Sequence, residues 1–192
     1  MTTLFSATDW RKMSREELDR GLNNGEAVAG SVEMVAGWEK RSGEMRKARP
    51  AHLDLRYGLR ERNRIDFFKA ADKAPTLLFI HGGYWQNRAK EVFSIFAEGP
   101  MAHGINVALI GYTLAPDATL DEIVAEIHAG IDYLAGQLPP LGAAYGGIIV
   151  SGWSAGGHLT SMALSNPNVR AGMAISGIYD LEPIRHSIST TS

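Results

Sequence analysis

Apolar residues recur along this chain with different periods, and each period predicts its own kind of element. Across residues 8–44, Val28, Val32, Val35, Ala36 and Trp38 return at roughly helical spacing, and Asp9 and Ser14 offer side-chain oxygens as caps. Two helices are expected there, separated at Asn23-Asn24-Gly25. Past Pro50 the period shortens. Residues 52–57 alternate and residues 64–68 follow after a polar turn, which predicts an antiparallel pair at a sheet edge. Residues 76–80, 105–110 and 146–150 are instead apolar runs, the pattern of strands buried on both faces in a parallel sheet covered by helices. Between them, residues 87–103 carry Val92, Phe93, Ile95 and Phe96 at helical spacing, with Gly99-Pro100 expected to kink or end the helix. Residues 119–135 place Leu120, Ile123, Val124, Ile127, Ile131 and Leu134 on one stripe. A helix over 155–164 and a strand over 171–176 extend the alternation. Strands and helices in this order imply right-handed crossovers and an α/β fold with a doubly wound, mostly parallel sheet.

Composition narrows the picture mostly by exclusion. At 192 residues there is room for one domain, read as a helical N-terminal segment (1–49) packing near a pocket mouth and a core (50–192). With 19 basic and 21 acidic residues the net charge is −2, so nothing favours nucleic acid or an anionic membrane as partner. The basic cluster Lys40, Arg41, Arg46, Lys47 and Arg49 is interleaved with Glu39 and Glu44 and reads as a solvated helix face. No run approaches the length of a membrane span, and the first residues lack a basic stretch followed by an apolar core, so a cytoplasmic location is expected. The absence of cysteine removes disulfides, thiolate metal sites and a cysteine nucleophile together. His52, His103 and His128 are scattered without ligand spacing, so no metal or cofactor is expected.

Chemistry concentrates in two glycine-bearing turns, each following an apolar run. In Gly152-Trp153-Ser154-Ala155-Gly156 a serine stands between glycines where a strand must turn sharply into a helix. Ser154 would sit exposed at that apex as a nucleophile, with free N–H groups and the positive end of the helix dipole beside it. The same residues would also serve as a plain strand-to-helix turn with a serine cap. In His81-Gly82-Gly83-Tyr84-Trp85 the small residues either make a plain tight strand-to-loop turn or let main-chain N–H groups point into one concavity. Gly82, Gly83 and Ala155 together would make an oxyanion hole at the carboxyl ends of parallel strands, where such sheets bind ligands. Tyr84, Trp85 and Trp153 would line a substrate pocket or simply pack. His158, one helical turn beyond Ser154, reads as a packed, hydrogen-bonded histidine behind the site.

These segments, with Gly111-Tyr112-Thr113-Leu114-Ala115-Pro116 and Gly157-His158, carry a family resemblance. The chain resembles the α/β-hydrolase superfamily, in the branch of hormone-sensitive-lipase-like esterases and kynurenine formamidases (arylformamidases). Lipase-like esterases usually carry a third glycine where Tyr84 stands and an acid where Gly111 stands, so the formamidase form is the nearer one. The resemblance implies a serine hydrolase of small carboxylic esters or aryl formamides acting on a small molecule.

Two other classes compete with that reading. A dinucleotide-binding oxidoreductase would share the β-α alternation, but there is no G-x-G-x-x-G, and the strand after the elbow ends in Ser176-Gly177 without an acid for a ribose. The second is a catalytically incomplete relative or fragment acting as a binding or regulatory protein. A triad needs an acid and a histidine after the serine. Asp180 and His186 follow in that order, but six residues apart, whereas the family places them after two further strands; each such crossover needs roughly a dozen residues or more. The expectation is therefore a chain lacking its C-terminal strands, with little turnover by itself. It would expose a sheet edge and seek a partner there, a second copy included.

Overall fold

The computed structural model describes residues 9–49, 52–144 and 146–187. They fall into two units: one built from the residues up to Met34 together with those from Tyr179 on, the other from Val35–Ile178. In the smaller unit, α1 (Arg15–Leu22) opens on a capping box in which the Ser14 hydroxyl accepts from the Glu17 N–H and the Glu17 carboxylate accepts from the Ser14 N–H at 2.7 Å. Asn23 accepts from the Glu26 N–H and starts a further turn, α2 (Asn24–Ala27). The expected break at Asn23-Asn24-Gly25 is thus a cap, and the chain turns later, at Gly30, where a φ of 76° suits a residue without Cβ. Val28 and Val32, expected on an apolar stripe, are exposed. α3 (Ser31–Ala48) then runs into the larger unit and buries Ser42 and Met45.

The larger unit is a six-stranded sheet with β1 (His52–Arg56), β2 (Arg64–Phe68), β3 (Thr76–Ile80), β4 (Asn106–Ile110), β5 (Ile148–Trp153) and β6 (Val169–Ile175) in the order β1-β2-β4-β3-β5-β6. The expected antiparallel edge pair is present, and β3 to β6 run parallel. Alternation along the buried strands assigns their faces. Phe79, Leu109 and Phe68 join Met45 and Phe93 in one cluster, where burying each phenylalanine contributes about 2 kcal/mol. The opposite face is covered by α5 (Leu120–Gln137), whose Ile123, Ile127, Ile131 and Leu134 are buried as the stripe predicts. Gly130 lets that helix lie on Ile110, whose Cδ1 occupies the space a Cβ would need.

Two expectations need correction. Residues 87–103 do not form one helix: a 3₁₀ helix, Lys90–Ala97, is followed by α4 (Glu98–Ala102). Ser42 from α3 inserts into that ladder, donating to Val92 O at 2.8 Å and accepting from the Ile95 N–H at 2.9 Å. Pro100 lies in the first turn of α4, where no intrahelical N–H is needed, so Gly99-Pro100 opens a helix. Arg46, read as part of a solvated face, is a half-buried partner of Asp66, a carboxylate with no exposed surface. Lys90 completes that cluster, its ammonium 2.7 Å from Asp54, 2.9 Å from Asp66 and 2.5 Å from Glu91. The Lys90 hydrogen bond holds the Asp54 carboxyl below its usual range; burial pushes Glu91 up, and the same ammonium outweighs it. The apolar strand expected over 171–176 forms as β6 at the edge of the sheet, and it is exposed along almost its whole length, Met173 at 55% and Ile175 at 42%.

After β5 comes α6 (Ala155–Ala163), packed on β5 and β6. In the smaller unit, α7 (Glu182–Arg185) follows, and Trp10 lies 5.5 Å from the His186 ring. Pro50 and residues 188–192 lie outside the described residues. Among the described residues, no helix is long and apolar enough to cross a membrane.

Candidate active site

Strand order fixes where the two glycine-bearing turns meet. β3 and β5 are neighbours, yet the chain leaves β3 towards β4 on one side and leaves β5 towards β6 on the other. The carboxyl ends of two such strands border the crevice in which open α/β sheets bind ligands. The His81-Gly82-Gly83 turn leaves β3 there, and Ser154 leaves β5.

Ser154 joins β5 to α6 with φ 57° and ψ −118°. A residue with a Cβ adopts that conformation at a cost of roughly 1–2 kcal/mol, so neighbouring contacts must enforce it. They do so from both sides. The Ser154 N–H donates to Ile175 O at 2.9 Å, and its carbonyl accepts from the Gly157 and His158 N–H groups at 2.8 and 3.1 Å. The flanking glycines are there for space: a Cβ on Gly152 would overlap Gly156 O, and one on Gly156 would overlap Ile80 O. Ser154 makes no side-chain cap to α6, and the Ala155 N–H, first in the helix, has no intrahelical acceptor.

The loop after β3 lies directly against this elbow. A Cβ on Gly82 would stand 2.6 Å from Trp153 O and 3.3 Å from the Ser154 Cβ, so only glycine lets the two backbones approach this closely. Gly83, at φ 120°, closes a tight turn by accepting from the Gln86 and Asn87 N–H groups at 3.0 and 2.9 Å. Tyr84, Trp85 and Arg88 also hold positive φ, at 53°, 58° and 73°. Three strained residues in one loop need external anchors. Trp85 O accepts from the Ala115 N–H at 2.8 Å, and Tyr112 donates its hydroxyl to His81 O at 2.9 Å. The His81 ring stacks on Tyr112 at 4.3 Å, and its Nδ1 lies 2.8 Å from Gly82 O. Burial holds the His81 imidazole down at about 4, so it is neutral near pH 7.

Ser154, Gly82 and Ala155 thus come together in one place, with Gly83 next along the loop. The aromatic candidates divide. Tyr84 is half-buried, its phenol pushed up by burial. Trp85 is buried edge-on to His158, with ring centroids 5.3 Å apart. Trp153 packs on Trp38 and Phe93 at 5.8 and 6.3 Å, a wall that also supports the elbow. His158 is packed as expected, but its Nδ1 has no hydrogen-bond partner among the described residues. Burial shifts its pKa downward. Asp180 and His186 are both engaged within the smaller unit: Asp180 accepts from the Glu182 N–H at 3.1 Å, and His186 Nε2 lies 3.3 Å from Glu182 Oε1. A cavity of ≈870 Å³ there, lined by Trp10, Arg15 and His186 among others, contains none of the elbow residues.

Several contacts in this region are not legible in the sequence. Gly111 is a glycine because Arg62 O lies 2.7 Å from where its Cβ would be. Glu126 of α5 accepts from the Thr113 N–H and hydroxyl at 2.7 and 2.8 Å, fixing the loop after β4. The alternate acidic and apolar positions of α5 gave a signal for its stripe and none for that contact.

The BD-FAE family model matches residues 67–180, more than half of the chain. Kynurenine formamidase of Danio rerio is 26% identical over 197 residues, covering 92% of this chain and 65% of its own. Isoprenylcysteine alpha-carbonyl methylesterase of Arabidopsis thaliana is 28% identical over 111 residues, 56% of this chain and 26% of its own. A provisionally assigned thioesterase of Silicibacter sp. superposes with a TM-score of 0.83 at 28% identity, covering 92% of this chain and 69% of that one. The chain spans just under two thirds of the Danio rerio relative. With the mostly parallel sheet and the strained elbow, these matches establish that the chain belongs to the BD-FAE family, an arylformamidase-like branch of the α/β-hydrolases.

Proposed function

We propose that this chain carries the nucleophile and oxyanion site of a serine hydrolase acting on small carboxylic esters or aryl formamides. One observation carries the reading: Ser154 stands at a left-handed apex with the Gly82 main chain pressed against it. Ser154 Oγ attacks the carbonyl carbon and gives up its proton to a base, while the carbonyl electrons move onto oxygen. The N–H groups of Gly82, Gly83 and Ala155 receive that oxyanion; a well-aimed donor of this kind is worth about 3–4 kcal/mol in the transition state. Collapse expels the amine or alcohol, and water then releases the formyl or acyl group from the serine. His81 is not the base, because its ring is buried, stacked and bonded to its own loop. The relatives' names span both substrate classes, a formamide in one and a methyl ester in another.

The test is hydrolysis of N-formylkynurenine and of p-nitrophenyl acetate, each with Ser154→Ala as control. Loss of both activities in the variant supports the assignment, and preference for the formamide selects the formamidase branch. Hydrolysis that survives Ser154→Ala overturns it. A second reading, a binding or regulatory relative, is favoured by the engagement of Asp180 and His186 with Glu182. It predicts saturable binding of the formamide without turnover.

A further inference from the structure

We infer that Arg62 is a positioning residue that clamps the oxyanion loop against the loop following β4. This rests on the hydrolase reading only for its catalytic consequence. Arg62 stands just before β2, far from the elbow in sequence, yet its guanidinium reaches main-chain carbonyls on both loops. Nε donates to Tyr112 O at 2.9 Å, and Nη2 donates to Arg88 O. A planar guanidinium holds its donors in a rigid fork, so one side chain can fix the relative place of two carbonyls, which a lysine ammonium cannot do with the same geometry.

The two carbonyls are mechanically informative. Arg88 closes the loop that opens at Gly82, and its φ of 73° is one of the three strained side-chain-bearing positions there. Tyr112 carries the ring that stacks on His81 and the hydroxyl that bonds His81 O, so it holds the other end of the same loop. The bond from the Ala115 N–H to Trp85 O joins the two loops midway. Arg62 therefore ties the far end of the strained loop to the segment supporting its start, and strained backbone persists only where neighbours over-determine it. Without the fork, the loop has a route to relax its left-handed residues, and the Gly82 and Gly83 N–H groups drift from the position aimed at the oxyanion. Misplacement by about 1 Å lowers a rate on the order of a hundredfold.

The experiment compares the full chain with Arg62→Ala, Arg62→Lys and the exposed control Arg56→Gln, reading hydrolysis of p-nitrophenyl acetate and amide hydrogen exchange. Expected for Arg62→Ala is a kcat lower by about a hundredfold with KM within about twofold, and for Arg62→Lys a loss of about tenfold. The Gln86, Asn87 and Ala115 amides, which report the loop's own turn and its bond to the next loop, should exchange at least about tenfold faster in both variants while sheet amides hold their rates. Should Arg62→Ala fail to fold, Arg62→Lys carries the test. Unchanged exchange at those three amides, exchange that rises equally across the sheet, or a loss confined to KM overturns the clamp. Faster exchange at the three amides in a chain whose unsubstituted form hydrolyses nothing sustains the clamp and favours the binding or regulatory reading over turnover by this chain.

Discussion

The buried His81 makes acid sensitivity a direct test of how the loop after β3 is held. Its ring is 1% exposed, stacked between Tyr112 and Phe93, and burial depresses its pKa from 6.5 to about 4. Hydrogen bonding to Gly82 O works against that shift, and the Arg62 charge adds to it. Above about pH 6.5 neither the folded nor the unfolded chain protonates this ring, so it is without effect on stability. As pH falls below that value the unfolded chain takes up a proton that the folded chain refuses, and stability drops by up to about 1.4 kcal/mol per pH unit until about pH 4. Between about pH 7 and about pH 5 the expected loss from His81 alone is about 2 kcal/mol. The comparison variant is His81→Asn, which keeps an N–H for the Gly82 carbonyl and does not titrate. Urea unfolding at both pH values should show the wild type losing about 2 kcal/mol more than the variant, since His158 and the carboxylates contribute equally to both. A difference between the two proteins that stays constant across this range would refute the assignment of His81 as a neutral histidine locked by burial.

Other perturbations address the elbow and the ion cluster. Ser154→Gly removes the proposed nucleophile together with the strain of a Cβ at φ 57°, so any hydrolysis should vanish while thermal or urea unfolding shows a gain of about 1 kcal/mol; a less stable variant would contradict the strained apex. Lys90→Met leaves Asp54, Asp66 and Glu91 around an apolar tip, and unfolding free energy should fall by about 3–5 kcal/mol. A loss below about 1 kcal/mol would mean that Arg46 alone suffices for the cluster. Gly156→Ala drives a Cβ into the carbonyls of Ile80 and His81, main chain with no rotamer to yield, whereas Gly136→Ala on α5 meets nothing within 4 Å. Expression and thermal melts should show the first failing to fold stably and the second neutral or better by up to about 1 kcal/mol.

Local physics makes much of this protein legible in its amino-acid sequence. The apolar runs at residues 76–80 and 105–110 and the stripe of Ile123, Ile127 and Ile131 each report burial of their own segment, and the observed β3, β4 and α5 follow them closely. The elbow is readable for the same reason, because the overlap of Gly152 with Gly156 is a contact between residues four apart. Contacts between distant residues carry no such period. Arg46 lies 20 residues from Asp66, and Arg62 lies 26 from Arg88 and 50 from Tyr112. A charged side chain looks solvated in sequence whether or not the fold brings its counter-charge or carbonyl to it. The 3₁₀ geometry of Lys90–Ala97 likewise depends on Ser42, 50 residues from Val92. Periodicity therefore determined the core strands and α5, and the close spacing of glycines the local strain of the turn that presents Ser154. Only the tertiary structure decided which polar groups hold that turn, because their partners are set by the order in which strands lie side by side and not by the order in which they are written.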